Sequence, residues 1–224
     1  MTVRLGLLLS DHIPSELRRD FGDYPDMFSQ LLPGAEIRPF DLTVGDFPAD
    51  LESIDAWVGA GSRLSVYDDL DWINRFKELL RRIDAERRKY VGVCFGAQMI
   101  GEALGGRVTR APQGWQVGIK EAEMVDGGRL RILHCNADQI VALAPGMRVL
   151  ASADTNPVEM VAVGDHILGF QGHPEFTTEF VTALVERRRG GLIPTEVADA
   201  GLASMKVPPD TDRLRETIVS FVSS

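Results

Sequence analysis

The stretch that decides the fold is Tyr90-Val91-Gly92-Val93-Cys94-Phe95-Gly96-Ala97-Gln98. The apolar residues before the cysteine predict a short buried strand, Lys89–Val93, and those after it predict a helix, Ala97–Leu104, closed by Gly105-Gly106. Glycine stands two positions before and two after Cys94, the pattern of a nucleophile elbow with sulfur in place of oxygen. Such a sharp turn needs small neighbours because it strains the backbone at its centre. The alternative is a structural cysteine packed between two glycines.

The segments before this stretch alternate between strand-like and helical patterns, which predicts an α/β fold with a parallel sheet and helices on its faces. The predicted strands are Val3–Leu9, Ala35–Leu42 and Ile54–Ala60. A helix is predicted over Asp69–Arg87, with Asp68, Asp69 or Asp71 as its cap.

The segments after residue 106 predict antiparallel strands added to this sheet. Strand-like runs cover residues 107–110, 117–125, 130–134, 149–153, 158–163 and 167–171, and a helix is predicted over Phe176–Arg188. Residues 190–209 are expected to be mostly loop, and Leu214, Ile218, Phe221 and Val222 form the apolar stripe of a final helix.

The bulk composition excludes several classes of protein. The chain has 224 residues, 44% hydrophobic and 25% charged, which suits one domain spanning residues 1–224. A net charge of −9 argues against nucleic acid and anionic membranes as partners. No segment approaches the roughly 20 apolar residues of a membrane span. The two cysteines, Cys94 and Cys135, have dissimilar surroundings, so we expect no disulfide and a reducing, cytoplasmic location.

A second chemical segment is Gly169-Phe170-Gln171-Gly172-His173-Pro174-Glu175-Phe176, which follows a predicted strand and opens a helix. A thiol nucleophile needs a base, and the base needs an acceptor that orients it. His173 and Glu175 can supply both. We expect His12, His134 and His166 to be structural or solvated, and no spacing of ligand residues suggests a metal site.

Together these motifs resemble the class I glutamine amidotransferases. Val91–Gln98 is similar to the family's nucleophile motif and Gly172-His173-Pro174-Glu175 to its histidine motif. The segment Val58–Tyr67 resembles the oxyanion strand, and Gly114–Gly118 and Asp138-Gln139-Ile140 resemble the stand-alone, GMP-synthase-like branch. The resemblance implies an open mixed, largely parallel, flavodoxin-like sheet with helices on both faces.

The resemblance also implies a mechanism and its residues. Cys94 would attack the γ-carbonyl of glutamine or a γ-glutamyl compound, with His173 and Glu175 completing a triad. The backbone N–H groups of Ser62 and Phe95 would hold the oxyanion. Gly61 and Gln98 would bind substrate, and no cofactor is expected.

Three departures from the family pattern are visible. Ser62 and Arg63 replace a glycine and a proline, Asn136-Ala137 replace His-Gln, and Ala97 replaces a larger residue.

The sequence leaves three alternatives open. A sulfur version of an α/β-hydrolase would place its acid before its histidine, whereas Glu175 follows His173. A non-catalytic regulator with the same fold is the alternative of another class. Within the enzyme interpretation, the resemblance favours a glutaminase that hydrolyses the γ-amide of glutamine to glutamate and ammonia, which a synthetase partner could accept. The alternative is a stand-alone hydrolase of γ-glutamyl amides or peptides. The charge run Glu186–Arg189 is interpreted as a solvated helix end.

Overall fold

The computed structural model describes residues 2–224. Within them the strands are β1 (Arg4–Leu9), β2 (Glu36–Asp41), β3 (Ala56–Gly59), β4 (Lys89–Val93), β5 (Arg107–Arg110), β6 (Gln116–Met124), β7 (Arg129–Asn136), β8 (Asp138–Ala142), β9 (Met147–Ala153), β10 (Asn156–Val163) and β11 (Ile167–Phe170). The helices are α1 (Ser15–Phe21), α2 (Tyr24–Leu31), α3 (Asp71–Ala85), α4 (Phe95–Ala103), α5 (Thr178–Arg188), α6 (Thr195–Ser204) and α7 (Thr211–Val222), and Leu42–Val44 forms a 3₁₀ turn.

The main sheet has the order β2-β1-β3-β4-β11-β10-β9-β6-β7. Strands β2, β1, β3, β4 and β11 run parallel to one another, and the neighbours from β11 through β10, β9, β6 and β7 are antiparallel. Strands β5 and β8 form a separate antiparallel pair. The predicted α/β fold, a parallel sheet extended by antiparallel strands, is therefore confirmed.

Helices cover both faces of the sheet because the central strands bury side chains on both sides. In β1, Leu5, Leu7 and Leu9 pack into one apolar cluster with residues of α2 and α5, whereas Leu8 packs into the other with residues of α3 and α4. This alternation is the two-residue period of a strand. The parallel strands thus direct their carboxyl ends, where Gly61, Cys94 and His173 follow, to one edge of the sheet.

The structure corrects two predictions about helices. Residues 190–209 are not mostly loop, because α6 occupies Thr195–Ser204. Its buried residues are Ala198 and Gly201, and Gly201 packs so closely on Val117 that a methyl group there would lie 2.4 Å from the valine side chain. A helix held by such small residues has a weak apolar stripe, which explains why the pattern was missed.

The cap prediction for α3 is also wrong. The cap residue is Leu70, with no side-chain hydrogen bond, and Asp68 instead accepts a hydrogen bond from the Ser65 N–H. Helix α2, in contrast, begins with a capping box formed by Asp23 and Asp26, a local signal that the sequence contained. In residues 2–224 no helix is both long and apolar enough to cross a membrane.

Candidate active site

The backbone at Cys94 adopts the strained turn that the glycine pattern predicts. Cys94 lies between β4 and α4 with φ 52° and ψ −104°, in the positive-φ region that L-residues avoid. A methyl group on Gly92 would lie 2.5 Å from the carbonyl oxygen of Gly96, and one on Gly96 would lie 2.3 Å from that of Gly59. Side chains at these positions would therefore break the turn. Cys94 is 5% exposed and lines a pocket.

The imidazole of His173 is oriented by Glu175 and by packing. Its Nδ1 lies 2.8 Å from Oε1 of Glu175, and both side chains are buried. The ring stacks on Phe176 at 4.0 Å between centroids, and the backbone N–H of His173 donates to the carbonyl of Leu133. Burial acts to lower the pKa of His173, but the negative charges of Glu175 and Cys94 outweigh it and raise that pKa well above its usual value.

The backbone of Gly61 lies directly beside the side chains of His173 and Cys94. A methyl group on Gly61 would lie 2.9 Å from Cε1 of His173, 3.2 Å from the hydroxyl of Tyr24 and 3.8 Å from Cβ of Cys94. Tyr24 is buried on α2, and burial, with the nearby Glu175 carboxylate, raises the pKa of its phenol. Only a residue without a side chain fits at this position. Next to it, Ser62 lines the pocket, and its hydroxyl accepts a hydrogen bond from Leu64 N–H at 3.1 Å.

Gln98 lies in the pocket wall, but its amide group is already engaged. Its Nε2 donates to the carbonyl of Asp138 at 2.9 Å and to Oε1 of Gln171 at 3.1 Å. Nε2 of Gln171 in turn lies 3.7 Å from the sulfur of Cys94. Both N–H donors of Gln98 are therefore used inside the protein. If Gln98 contacts substrate, its carbonyl oxygen is the atom available.

An acidic group lies in the same pocket, Asp138, which the sequence marked as part of a family-like motif but to which we assigned no role. Asp138 is 9% exposed, and its carboxylate accepts hydrogen bonds from the hydroxyls of Ser65 at 2.5 Å and Tyr67 at 3.2 Å. Within residues 2–224 no cation lies at ion-pair distance from it. The neighbouring strand places Arg110 directly opposite Asp138 in the β5–β8 register, and Arg110 also lines the pocket. A nearly buried carboxylate held by two hydroxyls can receive an ammonium group.

A second buried histidine–carboxylate pair lies behind the His173 segment. Nε2 of His134 lies 3.1 Å from Oε2 of Glu159, although the bent geometry leaves that nitrogen without an aligned hydrogen bond. Oε1 of Glu159 accepts the N–H of Gly172 at 3.1 Å, and Asn156 donates to Oε2 at 2.6 Å. Glu159 therefore anchors the backbone directly before His173.

These donors also affect the ionisation of Glu159. Burial acts to raise the pKa of this carboxyl, but the charge of His134 and the donors around it hold that pKa below its usual value. The expectation that His134 is structural is consistent with this arrangement, and its side chain is fully buried rather than solvated.

The two other histidines are held by carboxylates. His12 bridges Asp23 at 2.8 Å and Asp41 at 2.9 Å, and it lines the pocket. Nε2 of His166 lies 2.8 Å from Oδ1 of Asp84, and its Nδ1 lies 3.6 Å from Oδ1 of the adjacent Asp165.

The surroundings of Cys135 differ from the expectation. Both cysteines are free, and although their local structures differ, Cys135 lines the same pocket as Cys94, a proximity that we did not expect. Cys135 lies in the strand β7 rather than in an elbow, and burial raises the pKa of its thiol. A thiol that resists ionisation is a poor nucleophile.

The solvated-end interpretation of Glu186–Arg189 is wrong for one residue. Glu186, Arg187 and Arg189 are exposed, but Arg188 is half-buried and lines the pocket. It is the last residue of α5, on the same face as Phe180 and Leu184 because four residues make about one helical turn. The sequence analysis did not identify Arg188 as a pocket residue. The signal was available, because the apolar residues four and eight positions before it, Leu184 and Phe180, indicate that it shares their face of the helix.

The pocket is a cavity of about 180 Å³ at the carboxyl edge of the parallel strands. It brings together the predicted site residues Cys94, His173, Gln98 and Ser62 with four residues that were given no role from the sequence, Tyr24, Asp138, Arg110 and Arg188. In this α/β fold, a thiol at a strand-to-helix turn, an imidazole oriented by a carboxylate and several charged groups thus lie at one cavity.

Comparison with known proteins gives the family. Residues 65–186, which include Cys94, His173 and Glu175, match the class-I glutamine amidotransferase family. The chain is 31% identical to γ-glutamyl peptidase 4 of Arabidopsis thaliana, over 84% of this chain and 82% of that protein. It is 29% identical to γ-glutamyl peptidase 5 of the same plant, over 98% and 95%. The chain belongs to the class I glutamine amidotransferase family.

The fold is also shared with solved members of the family. A glutamine amidotransferase from Thermotoga maritima superposes with a TM-score of 0.75 at 19% sequence identity, over the whole of both chains.

Proposed function

We propose that this protein is a cysteine-dependent hydrolase of γ-glutamyl amide bonds, formed by a single domain over residues 1–224, with γ-glutamyl peptides as its substrates. The observation that carries the proposal is that Cys94 and His173 line one cavity, with the carboxylate of Glu175 2.8 Å from the imidazole of His173. Similarity over 82% and 95% of the length of two γ-glutamyl peptidases supports peptides as substrates.

The chemistry requires two steps. The thiolate of Cys94 attacks the γ-carbonyl carbon, and the backbone N–H groups of Ser62 and Phe95 stabilise the oxyanion. His173, protonated because its pKa is raised, gives its proton to the leaving amine as the C–N bond breaks, leaving a γ-glutamyl thioester on Cys94. Water then gives a proton to His173 and attacks the thioester, which releases glutamate and restores the thiolate. Glu175 keeps the imidazole in place throughout.

The glutamyl end of the substrate fits the charged wall of the cavity. Its α-ammonium group would bind the carboxylate of Asp138, which lacks a cation in residues 2–224. Its α-carboxylate would bind Arg110 on the neighbouring strand, because directly opposed residues place their Cβ atoms about 5 Å apart. The α-ammonium and α-carboxylate groups, which share the substrate's α-carbon, would thus each bind a side chain of opposite charge on one of two adjacent strands.

A second candidate function is a glutaminase that passes ammonia to a synthetase partner. The family membership favours it, and the same triad would perform the reaction with ammonia as the leaving group. The two functions differ in the leaving group and in the need for a partner.

The test has a labelling arm and a turnover arm. An electrophilic glutamine analogue is expected to add one adduct, located by peptide mapping on Cys94 and absent from Cys94→Ala. Adduct on Cys135 with Cys94 unmodified would refute the nucleophile. Purified protein alone is expected to release glutamate faster from a γ-glutamyl dipeptide than from glutamine. Activity on glutamine that depends on an added synthetase would favour the second function.

A further inference from the structure

The guanidinium of Arg188 is a pocket cation without an anionic partner. Within residues 2–224 no carboxylate lies at ion-pair distance from it. Its one side-chain hydrogen bond goes from Nη1 to the sulfur of Cys135 at 3.6 Å, and a thiol is a weak acceptor. A second arginine of the pocket, Arg63, is neutralised by Asp11 at 3.2 Å, and the third, Arg110, is the proposed partner of the substrate α-carboxylate. Arg188 therefore has unused donors directed at the cavity.

A wall of apolar side chains connects Arg188 to His173, the residue proposed to protonate the leaving amine. An aromatic wall runs from the imidazole of His173 to Phe176, stacked at 4.0 Å, and on to Phe180 at 4.6 Å. Phe180, Leu184 and Arg188 continue this wall along one face of α5. The wall thus begins at the group that protonates the leaving amine and ends in a cation.

The glutamyl end has other partners. Asp138 and Arg110, the proposed partners of that end, lie opposite each other in the register of β5 and β8, whereas Arg188 lies on α5. A substrate that places its α-ammonium and α-carboxylate groups there has no further anion of its own for Arg188. The remaining anion of a γ-glutamyl peptide is the C-terminal carboxylate of its leaving group.

We infer that Arg188 binds the carboxylate of the leaving group and so selects γ-glutamyl peptides with a free C-terminus over glutamine and γ-glutamyl amines. The apolar wall between His173 and Arg188 then suits a leaving amino acid or dipeptide with an apolar side chain. This inference rests on the proposed hydrolysis of γ-glutamyl amide bonds.

The experiment compares matched substrates. The probes are γ-glutamyl-leucine and γ-glutamyl-leucyl-glycine, each as the free acid and as the C-terminal amide, together with glutamine. For at least one of the two pairs, the wild-type protein is expected to hydrolyse the acid with a kcat/KM about 10- to 100-fold above that of the amide, the range for a hydrogen-bonded charge. Arg188→Met is expected to bring that ratio close to one, mainly by raising KM for the acid, and Arg188→Lys to restore part of it.

The adjacent arginine is the matched control. Arg187 has the same chemistry but is exposed, pairs with Glu16 at 2.8 Å and does not line the cavity. Arg187→Met is expected to keep the wild-type ratio. Equal turnover of acid and amide by the wild type would overturn the inference, as would an equal loss for acid, amide and glutamine in Arg188→Met. Failure to release glutamate from any of the compounds would refute the proposed function itself, and the inference with it.

Discussion

Replacement of Glu159 tests whether the buried pair behind the His173 segment supports the site. Glu159→Gln keeps the shape and one acceptor, which can still receive the Gly172 N–H. It removes the negative charge that lies 3.1 Å from the imidazole of His134 and accepts the hydrogen bond from Asn156. The loss of charge assistance costs about 1.5–3 kcal/mol. Glu159→Ala leaves the donors without any acceptor and costs about 3–5 kcal/mol, as for a broken buried pair.

These energies translate into melting temperatures. For a chain of this size about 1 kcal/mol shifts Tm by 2–4 °C, so Glu159→Gln should lower Tm by about 3–12 °C and Glu159→Ala by about 6–20 °C. Because Gly172 precedes His173, both variants should also lower kcat. Scanning fluorimetry and glutamate release measure the two effects. A matched control is Glu121→Gln, which removes an exposed pair with Arg129, worth about 0–1 kcal/mol, and should lower Tm by no more than about 4 °C.

The pH dependence of stability has a definite sign. The pKa of Glu159 is lower in the folded protein than its value of 4.5 in an unfolded chain, so its ionisation stabilises the fold at neutral pH. That contribution is present above pH 4.5 and disappears as the pH falls through the lowered pKa. The Tm gap between wild type and Glu159→Gln should therefore be constant near neutrality and shrink below about pH 4.5. A Glu159→Gln protein with wild-type Tm and kcat at pH 7 would refute this reasoning.

The remaining predictions concern the catalytic groups. His173→Ala should lower kcat by about 10²–10⁴-fold, measured as glutamate release, and near-normal turnover would exclude His173 as the acid–base group. Glu175→Gln removes the charge that raises the pKa of His173, so the alkaline limb of the kcat/KM profile should move to lower pH; an unmoved limb would contradict this. Gly61→Ala places a methyl group 2.9 Å from His173 Cε1 and should lower kcat while Cys94 labelling with a small electrophile persists. Full activity in Gly61→Ala would show that the wall of the cavity is looser than described.

The elbow and the His173 segment could be predicted because each is local. The glycines around Cys94 are two residues away, and the structure shows the backbone contacts that exclude side chains there. Glu175 is two residues from His173, and its carboxylate reaches the imidazole without help from another element. The parallel strands could be predicted for a related reason: strands buried on both faces leave continuous apolar runs in the sequence.

The charged groups of the cavity could not be found in this way, because each depends on a register or on a helix face. Arg110 lies opposite Asp138 only through the pairing of β5 with β8, and Glu159 meets His134 and Gly172 only across the assembled sheet. Arg188 lies within a run of charged residues, and only the packing of α5 makes it different from its exposed neighbours.

The sequence by itself thus determined the fold class, the family resemblance and the candidate nucleophile with its histidine and glutamate. Only the tertiary structure decided which charges enter the cavity and which donors remain free. The physical reason is range: backbone strain and hydrophobic periodicity act over a few residues, whereas the pairing of buried charges is fixed by strand register and helix packing between distant segments.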